Sequence, residues 1–198
     1  MNNLQYPIRF SFKITTLSND FIARDASGRS IAYVKQKMFK LKEAITVYND
    51  DSKSQILYYI NANKWLDFSA AYAMVDVDNR PIGKIARKGW HSIWKAAFDI
   101  IDNNDLPQYK VREENAWVRV ADSFLGEIPI LSFFTGYLFN PTYNVTDSAG
   151  EIVVKLKKTP SFFGKEFELT KHKDIDEDDK ERLMLGLMMM VLLERRRG

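Results

Sequence analysis

Two hydrophobic rhythms divide this chain. Up to about residue 172, apolar residues come in short runs or alternate with polar ones. In "IVVKLKK", Ile152, Val154 and Leu156 share one face while Val153, Lys155 and Lys157 share the other. Near the C-terminus the alternation stops. From Leu183 to Leu193, eleven residues are apolar apart from Gly186. A helix rises about 1.5 Å per residue, so the run covers roughly 16 Å against a hydrocarbon core of about 30 Å. That is too short for a transmembrane span. An interfacial helix needs a polar face, and Leu183, Leu185, Leu187, Met188, Met190 and Leu193 point all round the axis. The pattern predicts a buried central helix over about residues 177–195. Asp176, Asp178, Asp179 and Glu181 lead into it and Arg195, Arg196 and Arg197 close it, matching the helix macrodipole at both ends.

Met184, Met188, Met189 and Met190 admit two readings: an adaptable or soft-metal groove, or pliant side chains filling an irregular core. The second is expected. Gly186 costs about 1 kcal/mol against Ala in a free helix. A neighbouring backbone passing close by would account for it.

A helix that is apolar all round must be enclosed, and the rest of the chain, about residues 6–172, reads as strands. Three segments align on an aspartate: "FIARDASGRSIAYVKQK" on Asp25, "YAMVDVDNRPIGKIARK" on Asp76 and "YNVTDSAGEIVVKLKKT" on Asp147. An aromatic stands four residues before each (Phe21, Tyr72, Tyr143) and a turn former three after (Gly28, Asn79, Gly150). Apolar residues follow at six (Ile31, Ile82, Val153), nine (Val34, Ile85, Leu156) and twenty-two (Val47, Phe98, Leu169). Aspartate suits the first turn position because its carboxylate accepts nearby backbone N–H groups, and glycine suits the last. Each unit predicts strand, turn, strand, basic connection, strand. The spacings of 51 and 71 residues are unequal, which argues against a solenoid. The extra length holds "YKVREENAWVRVA", with Trp117, and "EIPILSFFTGYLFNPTY", both expected to supply further strands. Many strands around a greasy helix predict a closed barrel, which also leaves no edge to aggregate.

Composition adds bounds. At 198 residues the chain suits one domain over 1–198. The net charge of +3 is too mild to mark a nucleic-acid binder. The absence of cysteine excludes disulfides, thiolate zinc sites and cysteine nucleophiles. No secretory signal pattern opens the chain, so a cytoplasmic or peripheral-membrane location is expected, and the sequon at Asn144 reads as chance.

The search for chemistry is negative. "DIDEDD" from Asp174 would need glycine sixth and glutamate twelfth to act as an EF-hand loop, and has Asp179 and Leu185. It reads as a solvated helix start. His91 and His172 have no partner at metal spacing, and neither a G-x-S-x-G elbow nor a P-loop occurs. No enzyme activity, metal or cofactor is expected.

One constellation recurs after the second strand of each unit: "KQKMFKLK", "ARKGWHSIW" and "KKTPSFFGK". These basic-aromatic connections admit three readings. Aromatics finish the core while lysines solvate strand ends; or the pair attracts an anionic membrane, with aromatics settling at the interface; or it holds single-stranded nucleic acid, the least expected.

The D-x-x-G hairpins, "KIARKGWHSIWKAAFDI", "GYLFNPTY", "PSFFGKEFEL" and the terminal apolar helix resemble the LURP-one-related and tubby-like family, which includes the phospholipid scramblases. The resemblance runs from about Tyr6 to Arg197. It implies a mainly β (α+β) fold, with about twelve antiparallel strands closed around the C-terminal helix. It also implies a non-enzymatic role, since tubby domains bind phosphoinositides through basic side chains. The scramblases' palmitoylated cysteines are missing here, so scrambling is not among the expectations. An anionic head group is therefore the first candidate ligand. Lys84, Arg87, Lys88, Lys155, Lys157 and Lys158 would attract it, and Trp90 and Phe162 would insert. The alternative is an interaction or regulatory module with no small ligand.

Overall fold

In the computed structural model, the described residues are 3–13, 19–36, 44–62, 71–87, 97–114, 141–159 and 166–195. They contain twelve strands and one helix. The strands are β1 (Ile8–Phe12), β2 (Phe21–Arg24), β3 (Ser30–Gln36), β4 (Ala44–Tyr48), β5 (Ile56–Ala62) and β6 (Ala71–Asp76). Then come β7 (Pro81–Arg87), β8 (Ala97–Ile101), β9 (Pro107–Glu113), β10 (Thr142–Thr146), β11 (Ile152–Thr159) and β12 (Glu166–Lys171), followed by the helix α1 (Glu177–Arg195). Every strand pairs antiparallel with its neighbours in the chain, and β1 pairs with β12 through Ile8 opposite Leu169 and Phe10 opposite Phe167. The sheet is a closed barrel with no free edge.

The three aspartate units are β2–β3–β4, β6–β7–β8 and β10–β11–β12, as their apolar spacing predicts. Phe21, Tyr72 and Tyr143 all point into the core, as do Val34, Ile85 and Leu156. Two more hairpins carry the same turn and escape the D-x-x-G/N pattern: one on Asp102, of the same length, and one on Asp50, whose loop is two residues longer and is closed by the Asn49 N–H donating to the Gln55 carbonyl. In all five, the residue three after the aspartate has positive φ: Gly28, Lys53, Asn79, Asp105 and Gly150. Its N–H donates to the aspartate carbonyl, at 2.9 to 3.4 Å. The carboxylate accepts the N–H two residues on, from Ser27, Ser52, Asp78, Asn104 and Ala149. This is a type I turn closed by a left-handed residue. Lysine and aspartate occupy that last position in the two hidden copies, which is why the residue pattern passes over them. The underlying period is therefore one hairpin, and the 51-residue spacing spans two of them.

All five hairpins lie at one end of the barrel, called here the hairpin end. After β12 the chain crosses this end, and α1 enters the barrel there and runs to the opposite rim. Its residues Leu183 to Leu192 are buried, and the core joins them to inward side chains of all twelve strands. Nine of these ten are apolar side chains, and burying each contributes about 1.5–3 kcal/mol. The sum is an upper bound, offset by the conformational entropy lost in ordering the helix and the strands around it. The barrel is built on its helix.

α1 leans towards β6, β7 and β8. Gly186 is what permits the approach, but a side chain rather than a backbone comes close. A Cβ there would lie 2.9 Å from Cδ1 of Ile100. Gly83, with φ 144°, opens the same wall, since its Cβ would meet the Ile101 carbonyl at 2.4 Å and the Arg182 side chain at 2.9 Å. Arg182 uses that space to donate Nε to the Ile82 carbonyl at 2.8 Å and Nη1 to Asp179 at 2.6 Å.

Tyrosines secure the helix at both mouths. At the hairpin end, Tyr109 donates its hydroxyl to Asp179 at 3.1 Å, and Tyr58 donates to Glu181. Burial, with the carboxylate beside it, pushes both phenols far above their ordinary range. At the far rim Tyr143 donates to Glu194 at 2.8 Å, and the Arg195 guanidinium stands 4.4 Å over the Phe12 ring. Of the acidic stretch, Asp174, Asp176 and Asp178 are solvated as expected, whereas Asp179 is recruited into this network.

Trp117 and residues 127–140, expected to add strands, lie outside the described residues, as does His91.

Candidate functional site

Alternation along a strand of a filled barrel sends every second side chain outward. With the interior occupied by α1, that outer wall and the two rims are the surfaces left for binding. On β11, Val154 and Leu156 face the core, while Lys155 and Lys157 project outward, as the sequence alternation predicts. Val153 departs from that reading. A register shift between β10 and β11 opposes Thr146 to Ile152 and Val145 to Val154, so Val153 is the extra, bulged residue and is buried.

Two strands away, β9 sends out Lys110 and Arg112. Register places Arg112 opposite Asn144 and Asn144 opposite Lys155, which makes one row across β9, β10 and β11. At about 4.8 Å per strand, the Cα atoms of Arg112 and Lys155 are about 10 Å apart. Arg112 is already committed. It donates to Asp99 at 2.9 Å and to the carbonyls of Phe98 and Val111. Its partner Asp99 is completely buried.

The lysines differ. Lys110, Lys155, Lys157 and Lys158 form no ion pair among the described residues. Lys157 lies opposite Glu168, but that carboxylate is engaged by Arg9 at 3.4 Å. Lys158 is opposite Phe167 at the far rim. Lys110, Lys155 and Lys157 make an unneutralised basic strip on the outer wall, while Lys158, paired with the core residue Phe167, is on the inward side of the sheet at the far mouth. Lys110 has no place in the basic-aromatic pattern. The signal for it is the strand register, which a single sequence does not display.

Other expected site residues fall elsewhere. Lys84 points towards the hairpin end, where its Nζ contacts Asp105 at 2.6 Å, so its charge is matched. Arg87 closes β7 at the far rim and is itself engaged. Lys88, Trp90 and Phe162 lie outside the described residues. The strands that lead into the three basic connections, β3, β7 and β11, all end at the far rim and sit four strands apart in the twelve-strand order. Their ends are spaced a third of the circumference from one another, about 19 Å of wall each. They ring the rim and do not gather on one face.

Among the described residues, no three acidic or histidine side chains come together as metal ligands, and no helix is long and apolar enough to cross a membrane.

A barrel of five aspartate hairpins and a threaded helix fits the sequence resemblance, and the family comparison settles it. The LURP-one-related family model matches residues 30–176. The chain belongs to the LURP-one-related family. The match covers about three quarters of the chain, from β3 to the approach to α1. No curated protein and no solved structure matches the chain significantly. The helix-filled barrel is thus seen in the structure itself, since α1 lies beyond the matched segment.

Proposed function

We propose that this LURP-one-related barrel is a non-enzymatic binding module that docks on anionic membrane surfaces, taking phosphate-bearing lipid head groups on its lysine strip. One observation carries the reading: Lys110, Lys155 and Lys157 lie along the outer face of a closed barrel, with Lys158 at the adjoining rim, and no carboxylate is paired to them among the described residues. A cation that serves only solubility has no need of such company. Each lysine near an anionic surface contributes about 1 kcal/mol, so the three on the outer face contribute about 3 kcal/mol. That corresponds to a Kd of about 6 mM for the strip alone. Attachment of this strength is reversible, depends on the density of charged lipid and weakens with salt. Trp90 and Phe162 are the side chains we assign to interfacial insertion, adding to the electrostatic attraction.

Co-sedimentation with phosphatidylcholine vesicles, with and without phosphatidylserine, tests the proposal. Binding is expected only to the anionic vesicles at low salt, and should fall steeply as salt rises. The triple variant Lys110→Glu, Lys155→Glu, Lys157→Glu should bind at least tenfold more weakly with an unchanged melting temperature. Equal sedimentation with neutral vesicles, or undiminished binding by the triple variant, would refute it.

A further inference from the structure

Resting on the membrane reading of the lysine strip, we infer that the docking surface crosses the seam of the barrel to Arg9. Glu168, standing between the two, is the residue that sets how acidic a membrane must be before it holds the protein.

Register draws the surface. Lys157 on β11 lies opposite Glu168 on β12, Glu168 opposite Arg9 on β1, and Arg9 opposite Arg24 on β2. Their chain neighbours Leu156, Phe167, Leu169, Ile8, Phe10 and Ala23 belong to the core, so the whole row faces outward. Twelve strands close the circle, so neighbouring strands stand about 30° apart around the axis. With β11 turned towards a flat membrane, β9 and β1 stand about 60° to either side and β3 about 120°. A barrel of this size with ordinary strand tilt has a radius of about 12 Å, so its wall has receded by about 6 Å at β9 and β1, and by about 18 Å at β3. The Debye length in physiological salt is about 8 Å. Lys110 and Arg9 are therefore matching flanks of one footprint centred on β11. Lys35 on β3, which also forms no ion pair among the described residues, lies too far round to join it.

Glu168 is the discordant charge in that footprint. Lys155 lies between Asn144 and Thr170, and Lys110 between Thr146 and Asp99, whose carboxylate is fully buried and takes a hydrogen bond from Arg112. Among the described residues, Glu168 is thus the solvent-reaching carboxylate opposite a strip lysine. It meets Arg9 through Nε at 3.4 Å, with the Arg9 side chain 63% exposed and its own 31%. A pair so open to water adds little to the fold. Its effect falls on the surface instead, because it cancels the charge Arg9 would bring and sets a carboxylate against anionic lipid. Glu166, the other outward carboxylate of β12, starts that strand at the far rim, off the row, and accepts the Ser11 hydroxyl at 2.8 Å.

The test uses the full chain and phosphatidylcholine vesicles of graded phosphatidylserine content at low salt. Glu168→Gln removes one negative charge and should bind about fivefold more tightly, reaching half-maximal binding at a lower phosphatidylserine content. Arg9→Gln should bind about fivefold more weakly. Lys35→Gln, which removes an equal charge from the wall turned away, should bind as the natural chain does. All three should keep its melting temperature. Unchanged binding by Glu168→Gln or by Arg9→Gln overturns the crossing of the seam, and so does a loss in Lys35→Gln equal to that in Arg9→Gln. A lowered melting temperature in Glu168→Gln with unaltered binding would make the Arg9–Glu168 pair a support of the sheet and overturn it as well. If the natural chain ignores anionic vesicles, or the triple lysine variant binds undiminished, the strip fails and its extension with it. If both of those controls behave and the Arg9 or Glu168 variants do not move, the extension alone fails.

Discussion

Four turn aspartates hold their charge against acid for related reasons. The Ser27 hydroxyl, then Arg29, keeps the Asp25 carboxyl below its ordinary range. At Asp76 burial works the other way, but the N–H groups of Arg80 and Asp78 and the Arg80 guanidinium outweigh it. The Leu106 N–H leads at Asp102, and Lys173 leads at Asp147. A carboxyl whose folded pKa is depressed stabilises the fold above its unfolded value of about 4, and that contribution is lost as pH falls through the folded value. Asparagine at all four sites keeps the side-chain acceptor and removes the titration. Thermal melts of the natural chain should therefore fall off below about pH 4 more steeply than those of the Asp25→Asn, Asp76→Asn, Asp102→Asn, Asp147→Asn variant. Parallel curves would contradict this assignment. Residue chemistry of this kind shows plainly in the sequence when turn residues are the favoured ones, as at Gly28, Asn79 and Gly150. It is hidden at Lys53 and Asp105, where the backbone takes positive φ without the residue that advertises it.

At the scale of elements, the fit of α1 against β8 rests on one small residue. Gly186→Ala gains about 1 kcal/mol of helix propensity but drives a methyl to 2.9 Å from Ile100 Cδ1, and overpacking of that sort costs about 1–3 kcal/mol. Ile100→Val removes that terminal carbon and alone costs about 0.5–1.5 kcal/mol. Urea unfolding should show the double variant more stable than the two single effects added together predict. Strict additivity would mean that the two side chains do not meet. The sequence announced the helix, its bounds of 177–195 and its burial, because a run without a polar face has no other home. It could not say which strand the glycine faces, since register around a closed sheet comes from pairing between distant strands. The tyrosine clamps were hidden for the same reason. Tyr58, Tyr109 and Tyr143 sit in ordinary strand patterns, and only the barrel's closure brings them to Glu181, Asp179 and Glu194.

Viewed whole, the molecule is electrically two-ended. The helix start and neighbouring turns make the hairpin end acidic, while the far rim and the wall of β9 and β11 bear unpaired lysines. A mild net charge of +3 conceals that separation. Composition therefore understated what the surface can do. The expected basic residues on β11 are Lys155, Lys157 and Lys158, but the sequence pattern could not foresee that Lys84 is neutralised by Asp105 or that Lys110 stands two strands away on the same wall. The proposed docking surface presupposes a filled barrel, because a hollow or open sheet would offer its interior instead.

Amide hydrogen exchange along α1 tests that premise most directly. A helix threaded through a closed sheet can open only when the barrel does, so Leu183 to Leu192 should exchange as slowly as the core of β4, β8 and β11, with one common opening free energy. Rapid exchange of the helix while those strands stay protected would show it to be a detachable appendage, and the account would be wrong.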